Sequence, residues 1–126
     1  MNASRFLSHY SFEGRASRID CIAAHLLFWL HALFAYGLWT GIPYSDNPTV
    51  ALVITVVWIG FGLGFCIPVL LAYTCRRCHD FGRTGWTQLL GLIPYINGVF
   101  LLVLVLLPGS KGDNRFGPVP PRTWIF

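Results

Sequence analysis

Between Cys21 and Gly41 the chain runs through 21 consecutive positions (CIAAHLLFWLHALFAYGLWTG) without an Asp, Glu, Lys or Arg. Wound as a helix, that run is ~31 Å long, about one hydrocarbon thickness. Two more uncharged stretches follow, at 49–74 and at 86–107. The second is ~39 Å long as a helix, so it must tilt, bend or extend into the headgroup layer. A folding unit built from three such stretches has lipid as its solvent.

Composition agrees. Charged residues make up 11% of the 126 positions, against about a quarter in a soluble domain. Apolar residues reach 55% and the mean hydropathy is +0.59. The expected fold is all-α: one small polytopic membrane domain over 1–126, with a polar N-terminal segment 1–20, span one 21–41, span two 49–74, a basic loop 75–85, span three 86–107 and an irregular Gly/Pro-rich tail 108–126. The first span has no A-x-A-like site behind it, so it is expected to stay as an uncleaved anchor.

The formal charge of +4 does not point to nucleic acid, because the basic residues sit in short segments between apolar runs instead of forming a soluble face. Arg5, Arg15 and Arg18 precede span one, and Arg76, Arg77 and Arg83 follow span two. The turn at 42–48 has no cation. The positive-inside rule then places the N-terminus and the 75–85 loop in the cytoplasm of a bacterial inner (plasma) membrane, with a multi-pass chain. Three full crossings, the third kinked at Pro94, are the expectation. The alternative is a re-entrant third stretch turning at Pro94–Gly98, which would keep all nine basic residues on one side but needs protein cover for its turn.

Several groups could carry chemistry. Cys75-Arg76-Arg77-Cys78-His79 matches C-x-x-C-H, the pattern of covalent haem attachment, and thiolate plus imidazole also begins a zinc site. The loop lies on the wrong side for haem, and His9 is the only fourth zinc ligand from a polar segment. No cofactor and no metal are therefore expected, and Cys21 and Cys66 read as small buried hydrophobes. His31 and Asn97 fall near the middle of spans one and three, so a contact between them is expected as an intramembrane polar pair. Gly60 and Gly64 form a G-x-x-x-G pair for close helix packing, within the chain or between copies in a homo-oligomer, and Pro68 strips the Gly64 carbonyl of its helical donor. There is no H-E-x-x-H, P-loop or G-x-S-x-G, hence no catalytic residue.

The strings F12-E-G-R15-A-S-R18, R76-R-C-H79-D80-F-G82-R-T-G85-W86, L92-I-P94 and P108-G-S-K-G112-D-N114-R-F-G117, in this order, resemble a bacterial inner-membrane family known as domain of unknown function 805. The resemblance implies a small multi-span protein with no assigned reaction. The family usually has leucine where this chain has Cys78, which makes the C-x-x-C-H match a local substitution inside a different motif. It also implies that Arg15, Arg18, Arg76, Arg77, His79, Asp80 and Asn114 form one arrangement. With Arg83 they would lie at headgroup level and contact anionic lipid or a partner protein. The sequence thus reads as a non-enzymatic membrane module with a basic cytoplasmic face. A subunit of an oligomeric channel or transporter, and a membrane enzyme acting on a lipid phosphate, are the alternatives.

Overall fold

The computed structural model describes residues 8–40 and 47–120. Helix α1 (Arg18–Thr40) starts at a reciprocal cap. The Asp20 amide donates to Ser17 Oγ (3.2 Å) while the Ser17 amide donates to Asp20 Oδ2 (3.1 Å), which satisfies donors that a helix start leaves free. Helix α2 (Pro48–Phe61) begins in an equally local way. Asn47 Oδ1 accepts from the Thr49 amide at 3.0 Å, and Pro48 occupies the first turn, where its missing N–H costs nothing. Most of the turn at 42–48 lies outside the described residues.

The overlong second stretch solves its length with a defect. After α2 comes one turn of π-helix (Gly62–Cys66), then helix α3 (Ile67–Asp80), so the chain is helical from Pro48 to Asp80. The wider turn surrounds the position where Pro68 withholds a donor. The Gly64 carbonyl, which Pro68 deprives of its helical partner, accepts instead from the Tyr10 hydroxyl at 3.3 Å. Gly62 marks the close approach to α1, because a Cβ there would lie 2.6 Å from His31 Nε2. Gly60 and Gly64, the expected packing pair, have nothing within 4 Å of an added Cβ, so the small-residue contact inside the chain is made by the glycine between them.

Helix α3 stops at Gly82, whose φ of +70° is a left-handed conformation that glycine adopts without a Cβ penalty. The Gly82 amide bonds the His79 carbonyl (2.9 Å) and the Arg83 amide bonds the Cys78 carbonyl (3.1 Å), closing the end of the helix.

The third apolar stretch is not one helix. Gly85–Leu92 is a 3-10 helix, Ile93 is extended, and helix α4 runs from Pro94 to Leu106. Pro94 therefore opens a new helix at its first turn and does not kink a continuous one. The Leu90 carbonyl accepts from the Ile93 amide at 3.2 Å. The two arms are ~16 Å and ~20 Å long, each short of a hydrocarbon thickness. They lie against each other, with Gly91 facing the Phe100 ring, and both outer ends return to the end of α3. A Cβ on Gly85 would run into Cys75 Sγ, and the Leu104 and Leu107 carbonyls accept from Arg77.

Helix α1 packs on α3 and α4, and the 3-10 arm packs on α3 and α4. Burial is concentrated toward the α3 end of this assembly. One cluster joins Ala16, Ala24, Val69 and Tyr73, and a second joins Cys21, Cys78, Phe100 and Leu104. Away from that end the apolar side chains point outward: Leu30 and Val57 are each 64% exposed, and Tyr95, beside the turn between the two arms, is 95% exposed. The helices Arg18–Thr40 and Pro48–Asp80 are long and apolar enough to cross a membrane. Such an outward apolar surface suits lipid contact and no aqueous one.

Candidate functional site

Asp80, the last residue of α3, is 3% exposed and holds two arginines. Arg15 donates through Nε (2.9 Å) and Nη2 (2.6 Å) to Oδ1, while Arg77 donates through Nη1 to Oδ2. Both guanidinium groups are themselves buried, so the site carries two cations against one anion away from water. Backbone carbonyls absorb the excess. Arg15 also donates to the carbonyls of Gly112 (2.8 Å) and Ser110 (2.9 Å), and Arg77 donates to those of Leu104 (2.9 Å) and Leu107 (2.6 Å).

The Arg77 contacts fall on the C-terminal turn of α4, where carbonyls lack helical donors and the helix dipole is negative. A fixed guanidinium there both caps α4 and finds partial negative charge for its own. Arg77 is 1% exposed and its plane also lies 4.5 Å from the Phe81 ring centre.

The tail closes over this site. The Ser110 amide and hydroxyl both donate to the Asp80 carbonyl, at 2.9 and 2.8 Å. Asn114 Nδ2 donates to the His79 carbonyl and to Ser110 Oγ, each at 3.0 Å, and Asn114 Oδ1 accepts from the Phe116 amide at 2.9 Å. The Phe116 ring lies flat on His79, with centroids 3.9 Å apart. Gly109 passes so close to the Asp80 carboxylate that a Cβ would overlap it.

His79 Nδ1 is 3.0 Å from the Gly14 carbonyl, an acceptor only, so Nδ1 donates there, and Nε2 lies 3.6 Å from Cys75 Sγ. The C-x-x-C-H residues are thus separated along one helix. Cys75 lies with His79 and Gly85, and Cys78 packs with Cys21, Phe100 and Leu104. Among the described residues no three His, Cys, Asp or Glu side chains come together as a metal site.

Of the eight residues expected as one lipid- or partner-contacting cluster, five face inward: Arg15, Arg77, His79, Asp80 and Asn114. They hold four parts of the chain together and leave little for an outside ligand. Arg76 is half-buried, with its guanidinium 4.3 Å from the Tyr73 ring centre. Arg18 and Arg83 are exposed, and Lys111 and Arg115 join them at the same end. Arg18 reaches the Leu106 carbonyl (3.5 Å), and Arg115 reaches the Gly82 carbonyl (3.2 Å).

His31 and Asn97 are not brought together. His31 stacks on Trp58 at 4.8 Å between centroids and sits over Gly62, whereas Asn97 lines a cavity with His25. His25 went unread in the sequence although it lies in the same uncharged run, because only its fold neighbours distinguish it from His31. Ser110, Gly109 and Phe116 were likewise unread. They stood in the P108-to-G117 string, whose spacing alone carries no chemistry.

The model of the family described as "Protein of unknown function (DUF805)" matches residues 9–118, from the residue beside Tyr10 to just past the Asn114 turn. The inner membrane protein YhaI of Escherichia coli (strain K12) is 29% identical over 124 residues, covering 90% of this chain and 88% of that protein. The inner membrane protein YhaH of the same strain is 47% identical over 45 residues, 36% of this chain, and the match spans 37% of YhaH. No solved structure matches the chain. With both outward apolar helices and the whole of the charged network inside the matched range, the chain belongs to the DUF805 family, whose relatives here are inner membrane proteins.

Proposed function

We propose that this protein is a non-enzymatic inner-membrane module with two crossing helices and a re-entrant hairpin, whose cytoplasmic end binds anionic lipid headgroups through a rim of exposed cations. One observation carries the reading: seven basic residues, Arg15, Arg18, Arg76, Arg77, Arg83, Lys111 and Arg115, are gathered at the end of the fold where α1 starts and α3 and α4 finish. That gathering supports a cytoplasmic position for this end. Two of the seven neutralise Asp80 internally and form with it, Ser110 and Asn114 a lock that ties the N-terminal segment, α3, α4 and the tail together, and the exposed four stand outside it. The lock gives that rim a rigid base, so the cations stay at one height above the apolar surface.

The hairpin supports two crossings. Both of its outer ends meet this basic end, so a two-crossing topology keeps Lys111 and Arg115 with the other cations, which three crossings would not. Its turn is short, and its 3-10 and α-helical arms satisfy most backbone groups internally, as chain at membrane depth requires.

Two measurements test the reading. The native thiols are buried, so a reporter must be introduced. Cysteines placed at Thr84, Val119 and Asn47, all exposed, are labelled with an impermeant maleimide. Thr84→Cys and Val119→Cys should react only in inverted vesicles, and Asn47→Cys only in intact cells. Reaction of Val119→Cys from outside would mean three crossings. For lipid, Arg18, Arg83, Lys111 and Arg115 are changed together to Gln. At about 1 kcal/mol per cation near an anionic surface, phosphatidylglycerol retained on the purified protein should fall at least about fivefold relative to phosphatidylethanolamine. An unchanged lipid ratio would remove the headgroup role.

A further inference from the structure

A cavity of about 170 Å³ lies between α1, α3 and the two arms of the hairpin. His25 is seven residues into α1 from Arg18, and Thr74 is six residues before Asp80. By helix rise both are ~10 Å from the charged end. On the proposed topology this is below the headgroups, where water is scarce. Polar groups that converge at such a depth are costly unless something meets them.

Here they are not all met from within. His25 Nδ1 is 2.8 Å from the Cys21 carbonyl, which fixes the ring hydrogen on Nδ1 and leaves Nε2 with a bare lone pair. The Thr74 hydroxyl spends its hydrogen on the Leu70 carbonyl at 2.7 Å. Gln88 Oε1 is buried with no hydrogen-bond partner. Asn97 and the Trp29 indole N–H are the remaining polar groups in the lining. The wall therefore presents acceptors on His25, Thr74, Gln88 and Asn97 and N–H donors on the Gln88 and Asn97 amides and the Trp29 indole, and of the acceptors His25 Nε2 and Gln88 Oε1 have no partner within the protein. It contains no Asp, Glu, Lys or Arg.

The rest of the lining is aromatic and aliphatic, with Trp29 and Phe100 among it. Trp29 is 58% exposed and Leu92 is 77% exposed on the outer surface, so the cavity opens sideways toward lipid and away from the charged rim.

These features select an occupant by chemistry. An acyl chain would leave Gln88 unpaired. A phosphate would set an anion in a low-dielectric site with no cation to meet it. A neutral planar ring bearing hydroxyl groups meets both demands. It places O–H donors against His25 Nε2 and Gln88 Oε1, and it gives the aromatic wall a flat face. We propose that this cavity binds the reduced head of a lipid-soluble quinol. The ligand hydroxyls donate to His25 Nε2 and Gln88 Oε1, their oxygens lie within the reach of the lining amides, and the apolar tail leaves through the lipid-facing opening.

His25 makes a prediction that needs no variant, because with its ring hydrogen held on Nδ1 by the Cys21 carbonyl its Nε2 can accept from a hydroxyl and has nothing to offer a carbonyl. The oxidised quinone has carbonyl acceptors in place of the hydroxyls, so it should bind more weakly, and one lost hydrogen bond of about 1 kcal/mol corresponds to roughly fivefold.

The full chain in phosphatidylcholine nanodiscs is titrated anaerobically with decylubiquinol and, separately, with decylubiquinone. Binding is read as Trp29 fluorescence change, taken as wild type minus Trp29→Phe. The expected result is a saturable change with the quinol, at least about fivefold weaker affinity for the quinone, and a further loss of about fivefold for the quinol in Gln88→Leu. Absence of a saturable change, or equal or tighter binding of the quinone, overturns the assignment. So does an unaltered quinol affinity in a folded Gln88→Leu. Should that variant fail to insert, the preference of the wild type for one redox form decides alone.

Discussion

Asp80→Asn is expected to cost about 3–5 kcal/mol of stability, the usual effect of removing one partner from a buried ion pair. Here the loss leaves two guanidinium groups, Arg15 and Arg77, with no anion between them. Their carbonyl partners, Gly112, Gly117 and Ser110 for Arg15 and Leu104 and Leu107 for Arg77, offset part of the charge, yet five carbonyls cannot replace a carboxylate in a dry site. The measurement is reversible unfolding in mixed micelles, followed by tryptophan fluorescence. The double variant Asp80→Asn with Arg15→Gln should be less destabilised than the two single effects summed, because the second change removes a charge that the first stranded. Simple additivity would mean that Arg15 and Asp80 do not act as a unit. The N-terminal segment, α4 and the tail are all attached at this point, so Asp80→Asn should also expose all three to protease together. Cleavage of the tail alone would separate it from the lock.

Two glycines in the tail should respond in opposite ways, although they are only three positions apart. Gly109→Ala is expected to destabilise by about 3 kcal/mol, the upper range for forcing extra volume into a packed site. Its new methyl would overlap the Asp80 carboxylate, which two arginines pin in place, so the tail itself must lift. Lifting it breaks the Ser110 bonds to the Asp80 carbonyl and takes an acceptor from Arg15. Gly112→Ala meets nothing within 4 Å and should stay within about 0.5 kcal/mol of wild type. The same unfolding assay reads both. Equal losses at the two positions would show that backbone freedom, and not the space beside Asp80, governs this loop.

The places where sequence reasoning succeeded and failed have physical causes. Pro68 was correctly seen to free the Gly64 carbonyl, since a missing N–H is a covalent fact. That Tyr10 supplies the replacement depends on a segment 54 residues away. Pro94 had two readings, kink or break, because a proline withholds the same donor in either case. The neighbouring arm packing against α3 and α4 decides that it begins a helix. Gly60 and Gly64 have the spacing of a packing pair, yet the π-turn at Gly62–Cys66 rotates the face and Gly62 makes the approach to His31. His31 and Asn97 were paired by depth alone. Depth locates a residue along the membrane normal and says nothing of azimuth, and azimuth turned His31 to Trp58 and Asn97 toward His25.

The basic cluster divides along the same line. Its membership was legible, because arginines and one aspartate flanking apolar runs have few options other than each other or the headgroup layer. Which of them turn inward was not. Arg77 is held mostly by the Leu104 and Leu107 carbonyls, and a backbone acceptor has no letter in a sequence.

What the amino-acid order determined by itself is the solvent: uncharged runs of 21 and 26 residues cannot be hidden inside 126, and that conclusion required no contact between distant positions. What only the tertiary structure decided is the break of the third run into two arms that lie against each other and the direction of each polar side chain. The third run is apolar enough for lipid in either topology, so hydropathy is indifferent between crossing and returning. What brings the ends of the two arms back to α3 is Arg77 meeting the end of α4 and Ser110 meeting Asp80, contacts made across 27 and 30 positions of chain.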